Sequence, residues 1–268
     1  GFGDTKEPHG QANEGGYPLP DGDTAKLNEA YFASLDLRMN EIWKNGFAVG
    51  MHPTWFGKLN CFFDHATAMR ISRYLAVRYG AYNALWSLSG EYQYAMRDCG
   101  WTDDQINQLG NAVAEVNPYR HPLSIHPSSR PDWKGQHGLQ SSRAFQNSGW
   151  LDHHWLQTGQ KVDTMYLVPE RIVENRALQP TRPVFLSESY YERSSDKQHV
   201  YHTRWQAWVA FLNGAAGYSN GAWGVWNFYD PDAENGETGK KTPETVPWKQ
   251  AIEFEGTAQL QHVHSLLT

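Results

Sequence analysis

Two stretches decide the fold: Leu85-Trp86-Ser87-Leu88-Ser89-Gly90-Glu91-Tyr92, and Pro183-Val184-Phe185-Leu186-Ser187-Glu188-Ser189-Tyr190-Tyr191-Glu192. Each opens as a short, mostly apolar run, the pattern of a strand buried in a parallel sheet. Each ends on a glutamate, Glu91 or Glu188, and passes into a polar, aromatic loop. A carboxylate has no structural use at the end of a buried strand, because desolvating its charge costs free energy. Two such residues on two strands of one parallel sheet suggest an acid and a nucleophile. That pairing is the signature of retaining glycoside hydrolysis on a β/α barrel.

Working outward, similar runs recur at Phe47–His52, Ala84–Ser89, Leu123–His126, His153–Gln157, Val184–Glu188 and Ala222–Trp226. They start roughly 30–40 residues apart, the length of a strand–helix–strand unit. Helical patterns fill the gaps. Tyr31, Phe32, Leu35, Met39, Ile42 and Trp43 share one face, ended by Gly46. Ala68, Ile71 and Leu75 form another, ended by Gly80. Thr102 and Gln105 make a capping box ahead of Ile106, Leu109 and Val113. Tyr201, Trp205, Trp208 and Leu212 mark a fourth helix. Met165, Val168 and Ile172 mark a fifth, with Pro169 either kinking it or delaying its start.

This alternation predicts an α/β fold, a (β/α)8 TIM barrel, forming one partial catalytic domain over residues 1–268. Six strands are visible. A long loop over residues 1–27 and a helix precede the first of them, so they read as strands three to eight, with the first one or two upstream of residue 1. Trp248–Leu267 is the expected eighth helix. An open doubly wound sheet fits less well, because polar and aromatic residues follow every strand rather than crowding one crevice.

The 268 residues carry 23 Lys and Arg against 29 Asp and Glu, a net charge of -6, with no basic stripe. Nucleic acid and anionic membranes are therefore poor partners. No apolar run approaches a membrane span, and no signal peptide is visible. Cys61 and Cys99 are too few for a disulfide framework and fit no zinc site; two unpaired thiols are the expectation. The 12 Trp and 14 Tyr are more telling. Many fall in loops, where flat sugar faces stack on such rings as readily as a core packs them.

Active sites of β/α barrels lie at the C-terminal ends of the strands. There this chain offers His52 and Trp55; Glu91; His126 and Arg130; Asp152, His153, His154 and Gln157; Glu188, Tyr190 and Tyr191; and Trp223, Trp226 and Asn227. A hydroxyl-rich, flat-faced ligand needs this mixture: carboxylates for the chemistry, His and Tyr for hydroxyl groups, Trp for a floor. The expected substrate-binding set is His52, Trp55, His126, His153, Gln157, Tyr190, Trp223 and Trp226. His153 and His154 point to opposite faces of their strand, so at most one reaches the centre. Glu192 reads as a supporting carboxylate, Asp152 and Arg130 as either kind. The acidic loop holding Asp230, Asp232, Glu234 and Glu237 fits no calcium loop.

Several segments resemble the apiosidase-type glycoside hydrolases, glycoside hydrolase family 140 and its relatives. They are Leu27-Asn28-Glu29-Ala30-Tyr31-Phe32 with Asp36, His52-Pro53-Thr54-Trp55, Trp86 to Tyr92, Glu188 to Glu192, and Gly214-Ala215-Ala216-Gly217-Tyr218 leading to Trp226-Asn227. The resemblance spans most of the chain. It implies a (β/α)8 barrel of the retaining clan, with the acid/base at the end of the fourth strand and the nucleophile at the end of the seventh, positions held here by Glu91 and Glu188. It also implies a plant or algal cell-wall carbohydrate as substrate, no cofactor, and secretion or periplasmic export. Two departures stand out: Glu91 occupies a position where the resemblance leads to Asp, and Gly90 one where related clan members carry Asn.

Two other readings compete. A metal-dependent hydrolase would hold zinc through His52, His126 and His153 or His154. A non-catalytic sugar-binding barrel would keep the aromatic rim without using the carboxylates. Six strands alone would leave two open edges, so the missing remainder of the same polypeptide is a further expected partner.

Overall fold

The computed structural model describes residues 12–55, 61–129, 132–133, 136–137, 139–193, 200–226, 228–233 and 246–267. Arg130, Asn227, Glu234 and Glu237 lie outside the described residues. The fold is α/β, built from helices and parallel strands. Contacts divide it into two compact units, Gly1–Trp155 and Leu156–Thr268.

In the first unit, helix α1 (Glu29–Lys44) starts where the Asn28 side chain accepts from the Ala30 and Tyr31 N–H groups, and it stops before Gly46. Strand β1 (Val49–Met51) follows, then β2 (Thr54–Trp55) beyond a break at Pro53, which has no N–H to donate. Helix α2 (His65–Arg78), capped by Asp64, buries Ala68, Ile71 and Leu75 as their spacing predicts. Strands β3 (Ala84–Ser87) and β4 (Ser89–Gly90) come next, then α3 (Gln93–Cys99) and α4 (Asp103–Glu115). The Thr102–Gln105 capping box is present in full. After β5 (Leu123–Ser124) come the antiparallel pair β6 (Asp132–Trp133) and β7 (Gln136–His137), and α5 (Ser142–Phe145). β1, β3 and β5 form one parallel sheet, with Val49 opposite Ala84 and Trp86 opposite Leu123; β2 and β4 continue the first two strands in parallel. The core joins Phe32, Ile71, Trp86, Leu88, Leu109 and Ile125.

Strand β8 (His154–Gln157) carries the chain from one unit into the other. The second unit continues with α6 (Leu167–Arg176), β9 (Val184–Glu188), α7 (Val200–Leu212) and β10 (Gly217–Tyr218). β10, β9 and β8 lie side by side, and β10 runs parallel to β9. Leu156, Val168, Ile172, Val184, Leu186 and Ala210 form the core here. Pro169 falls in the first turn of α6, where a missing N–H costs nothing.

Four expectations need correction. The last strand is Gly217–Tyr218, not Ala222–Trp226. Gly214 turns the chain at φ +90° after α7, and the Ala216 and Ser219 N–H groups then bond to Val184 and Leu186 on β9. Ala222 makes only an isolated parallel bridge to Glu192. Trp248–Leu267 is three short helices, α8 (Trp248–Ala251), α9 (Glu255–Gln259) and α10 (Gln261–Leu267), rather than one. Helix α7 exists, but it buries His202, Thr203, Gln206, Ala207 and Ala210 and leaves Tyr201 and Leu212 exposed. Finally, Cys61 and Cys99 are joined in a disulfide across a sequence separation of 38. Pairing depends on where α3 ends relative to the segment before α2, which two isolated cysteines in a sequence do not encode.

Candidate active site

Glu91 follows β4 directly. Its φ of +45° lies in the left-handed region, which is costly for a residue with a Cβ and persists only where its surroundings enforce it. Here the enforcing groups are visible. The His126 N–H donates to the Ser89 carbonyl at 3.0 Å, and the His126 carbonyl accepts from the Tyr92 N–H at 3.2 Å. The Ser128 N–H donates to the buried Gln93 Oε1 at 2.7 Å. The turn that carries Glu91 is thus stitched at both ends to the segment after β5.

Gly90 has a second physical reason. A Cβ added there would lie 2.1 Å from two atoms of the Trp55 ring. The indole rests against bare backbone, so no side chain, Asn included, fits at position 90 while Trp55 stays in place. The departure noted in the sequence is therefore a paired feature, Gly90 with Trp55.

Beside this turn the first unit assembles a ring cluster. His52 is 5.3 Å from Trp55, 5.8 Å from His126 and 5.2 Å from Trp155, centroid to centroid. His126 is 5.5 Å from Trp55 and 5.6 Å from Trp155. His153 approaches Trp155 at 6.0 Å, which puts it on that residue's face of the chain and leaves His154 to the other. The indole N–H groups of Trp55 and Trp155 are buried and donate to nothing among the described residues. Burial first, and the charge of neighbouring His154 second, push the His153 pKa down to about 4, so its ring is neutral near pH 7. Indole rings lie among these histidines, and no three His, Cys, Asp or Glu side chains among the described residues are grouped to hold a metal ion. Asp152 is structural: its Oδ2 accepts from the Leu123 N–H, while its own N–H donates to the Leu123 carbonyl.

In the second unit Glu188 ends β9 and is 9% exposed. Its Oε1 accepts from Gln160 Nε2 at 2.6 Å and from the Tyr191 hydroxyl at 2.9 Å. Its carbonyl accepts from the Thr158 N–H at 3.1 Å. The following residues are pinned from α7, where Gln206 accepts from the Tyr190 N–H at 2.8 Å and donates to the Tyr190 carbonyl at 3.2 Å. Tyr190, expected to meet substrate, is 1% exposed with its ring beside His202; Tyr191 is the tyrosine that reaches the carboxylate. Glu192 is a supporting group. Its two oxygens accept from the Gly256 and Thr257 N–H groups and the Thr257 hydroxyl at the start of α9. Trp223 is half-buried, its ring tilted against Trp226 with centroids 5.2 Å apart, and Trp226 is 40% exposed. Gln157 is 2% exposed at the end of β8.

Sequence reasoning did not single out Trp155 or Gln160. Strand alternation from His153 could have flagged Trp155. Gln160 sits beyond a glycine turn, and no local pattern announces it.

Comparison with known proteins agrees with this architecture. The family model described as apiosidase-like, catalytic domain, matches residues 4–268. Curated protein sequences yield no match. Among solved structures, one titled glycoside hydrolase aligns with 96% of this chain and 60% of its own, at TM-score 0.72 and 20% identity. A glycoside hydrolase family 5 protein from Bacteroides vulgatus aligns with 96% of this chain and 58% of its own, at TM-score 0.77 and 20% identity. An endo-beta-1,4-mannanase from Thermotoga petrophila aligns with 94% and 64%, at TM-score 0.60 and 12% identity. At these identities the structures speak for the fold alone, and the chain spans about three fifths of the length of the first two. The family match covers almost the whole sequence: the chain belongs to the apiosidase-like family and matches the model of its catalytic domain.

Proposed function

We propose that this domain, together with the remainder of its polypeptide, forms a (β/α)8 barrel and hydrolyses plant or algal cell-wall poly- or oligosaccharide with retention of configuration, Glu188 being the nucleophile and Glu91 the acid/base. The observation that carries the reading is Glu188 itself: a nearly buried carboxylate at the C-terminal end of a parallel strand, its oxygen met by two neutral donors. Hydrogen bonds to a carboxylate favour its ionised form, the form that a nucleophile needs. In the first step a Glu188 oxygen bonds to the anomeric carbon as the bond to the leaving oxygen breaks, and the Glu91 proton passes to that oxygen. In the second, water attacks the anomeric carbon, Glu91 takes its proton, and Glu188 is released. This double displacement requires the two carboxyl groups about 5–5.5 Å apart.

The rings of His52, Trp55, His126 and Trp155 supply flat faces and buried N–H donors suited to sugar hydroxyls. The tilted Trp223–Trp226 pair, partly open to solvent, adds a second aromatic face. The Cys61–Cys99 disulfide supports a secreted or periplasmic location, where such bonds persist. The test is turnover of a panel of plant and algal cell-wall glycans by the intact protein and by Glu188→Gln and Glu91→Gln. Loss of turnover in both, with unchanged circular dichroism, is the expected result; a Glu188→Gln protein that keeps most of its activity rejects the assignment.

A further inference from the structure

One side chain that donates to Glu188 comes from outside every motif of the sequence. Strand β8 ends at Gln157, and the Thr158 N–H then donates to the Glu188 carbonyl, holding the chain against β9. Gly159 follows at φ +96°, a conformation that L side chains rarely adopt. This turn sends Gln160 back over the strand end, where its Nε2 donates to Glu188 Oε1 at 2.6 Å. Tyr191, three residues past Glu188, donates its hydroxyl to the same oxygen at 2.9 Å. We propose that Gln160 is a positioning residue for Glu188, acting with Tyr191 to fix the plane of its carboxylate and keep it charged. The inference rests on the reading of Glu188 as nucleophile.

The last torsion of a glutamate is broad and roughly two-fold, so a single donor leaves the carboxylate free to rock. Two donors converging on one oxygen from two different loops remove that freedom. Hydrogen bonds to a charged acceptor are about twice as strong as neutral ones, and they favour the ionised form. Both donors here are neutral. Each steadies the carboxylate charge through a neutral N–H or O–H group. Tyr191 is itself fixed: a Cβ at Gly221 would lie 2.2 Å from its ring, so the ring packs on bare backbone. The neighbouring carboxylate, Glu192, is turned away into the start of α9. Tyr191 is thus a titratable group held against Glu188.

The experiment is a carboxyl carbon NMR titration of the full chain labelled in glutamate, with the Glu188 signal assigned by its loss in Glu188→Gln. Gln160→Met keeps the length of the side chain and removes the donor; Gln160→Ser is a second, smaller variant. In both, the Glu188 midpoint is expected to move up by roughly one pH unit, the worth of one hydrogen bond to a charged group. On the glycan panel kcat falls about tenfold or more while KM changes much less, the pattern of an interaction that matters in the transition state. Midpoints in Gln160→Met and Gln160→Ser that match the parent protein overturn the proposal. If the midpoint moves but Glu188→Gln retains turnover, the anchoring stands and the nucleophile assignment is what fails.

Discussion

Glu188 and Glu91 occupy equivalent places, each at the end of a parallel strand; a pair of side-chain donors is seen at the first and a strained backbone turn at the second. Glu188 is anchored through its side chain, with two donors on Oε1. Glu91 is set by its backbone, a left-handed φ of +45° in a turn tied to His126, next to a glycine that lies under an indole. A group that must stay ionised gains from fixed donors, because these favour the charged form. A group that must give and take a proton gains from a fixed direction and a mixed apolar environment. The two modes of support match the roles proposed for the two residues.

The largest effect that can break this comparison is removal of the nucleophile. Glu188→Gln keeps the hydrogen-bonding shape but cannot form the covalent intermediate; kcat on glycans is expected to fall by on the order of 10⁴-fold or more, read by product release. Glu91→Gln is expected to cost roughly 10²–10⁴-fold on natural glycans. On a 4-nitrophenyl glycoside, whose leaving group needs no proton, the first step should be nearly spared. Equal losses on both substrates would remove the distinction between the two glutamates.

Three smaller effects sharpen the description of the first unit. The disulfide closes a sequence separation of 38 residues around Glu91, and reducing it is expected to lower stability by about 4 kcal/mol in the chain-entropy view, read by urea titration with and without reductant. Gly90→Ala forces a methyl group into the Trp55 ring and is expected to cost about 1–3 kcal/mol, with a change in tryptophan fluorescence. Gly90→Ala together with Trp55→Ala should restore most of that stability. His153 gives a pH dependence of definite sign. Its pKa is about 4 in the folded protein against an ordinary 6.5, so below pH 6.5 the unfolded chain takes up the proton first. Stability from this residue is full above pH 6.5, falls as pH drops, and levels off near pH 4. His153→Gln should flatten that part of the curve.

The sequence was most legible where one physical rule acts alone. Val184–Glu188 was read to the residue, because a short apolar run follows Pro183 and closes on Ser187 and a carboxylate. The Thr102–Gln105 cap was legible because its partners are three residues apart. Gly217–Tyr218 was not, since two residues after Ala-Ala make no β pattern and only the β9 edge turns them into a strand. The polar buried face of α7 was hidden for a related reason: Gln206 is buried to bond the backbone of Tyr190, a partner 16 residues away. Glu91, Glu188, His52, Trp55 and His126 were all named from strand-end position. Gln160 and the Cys61–Cys99 pair were not, because their partners are set by tertiary structure and not by local order.

The most direct test of the central claim is the configuration of the sugar first released from a cell-wall glycan that the intact protein cleaves, followed by proton NMR before mutarotation. A double displacement through Glu188 gives the same anomeric configuration as the substrate. Release of the opposite anomer would contradict it, since water would then have attacked the sugar directly and Glu188 could not have been the nucleophile.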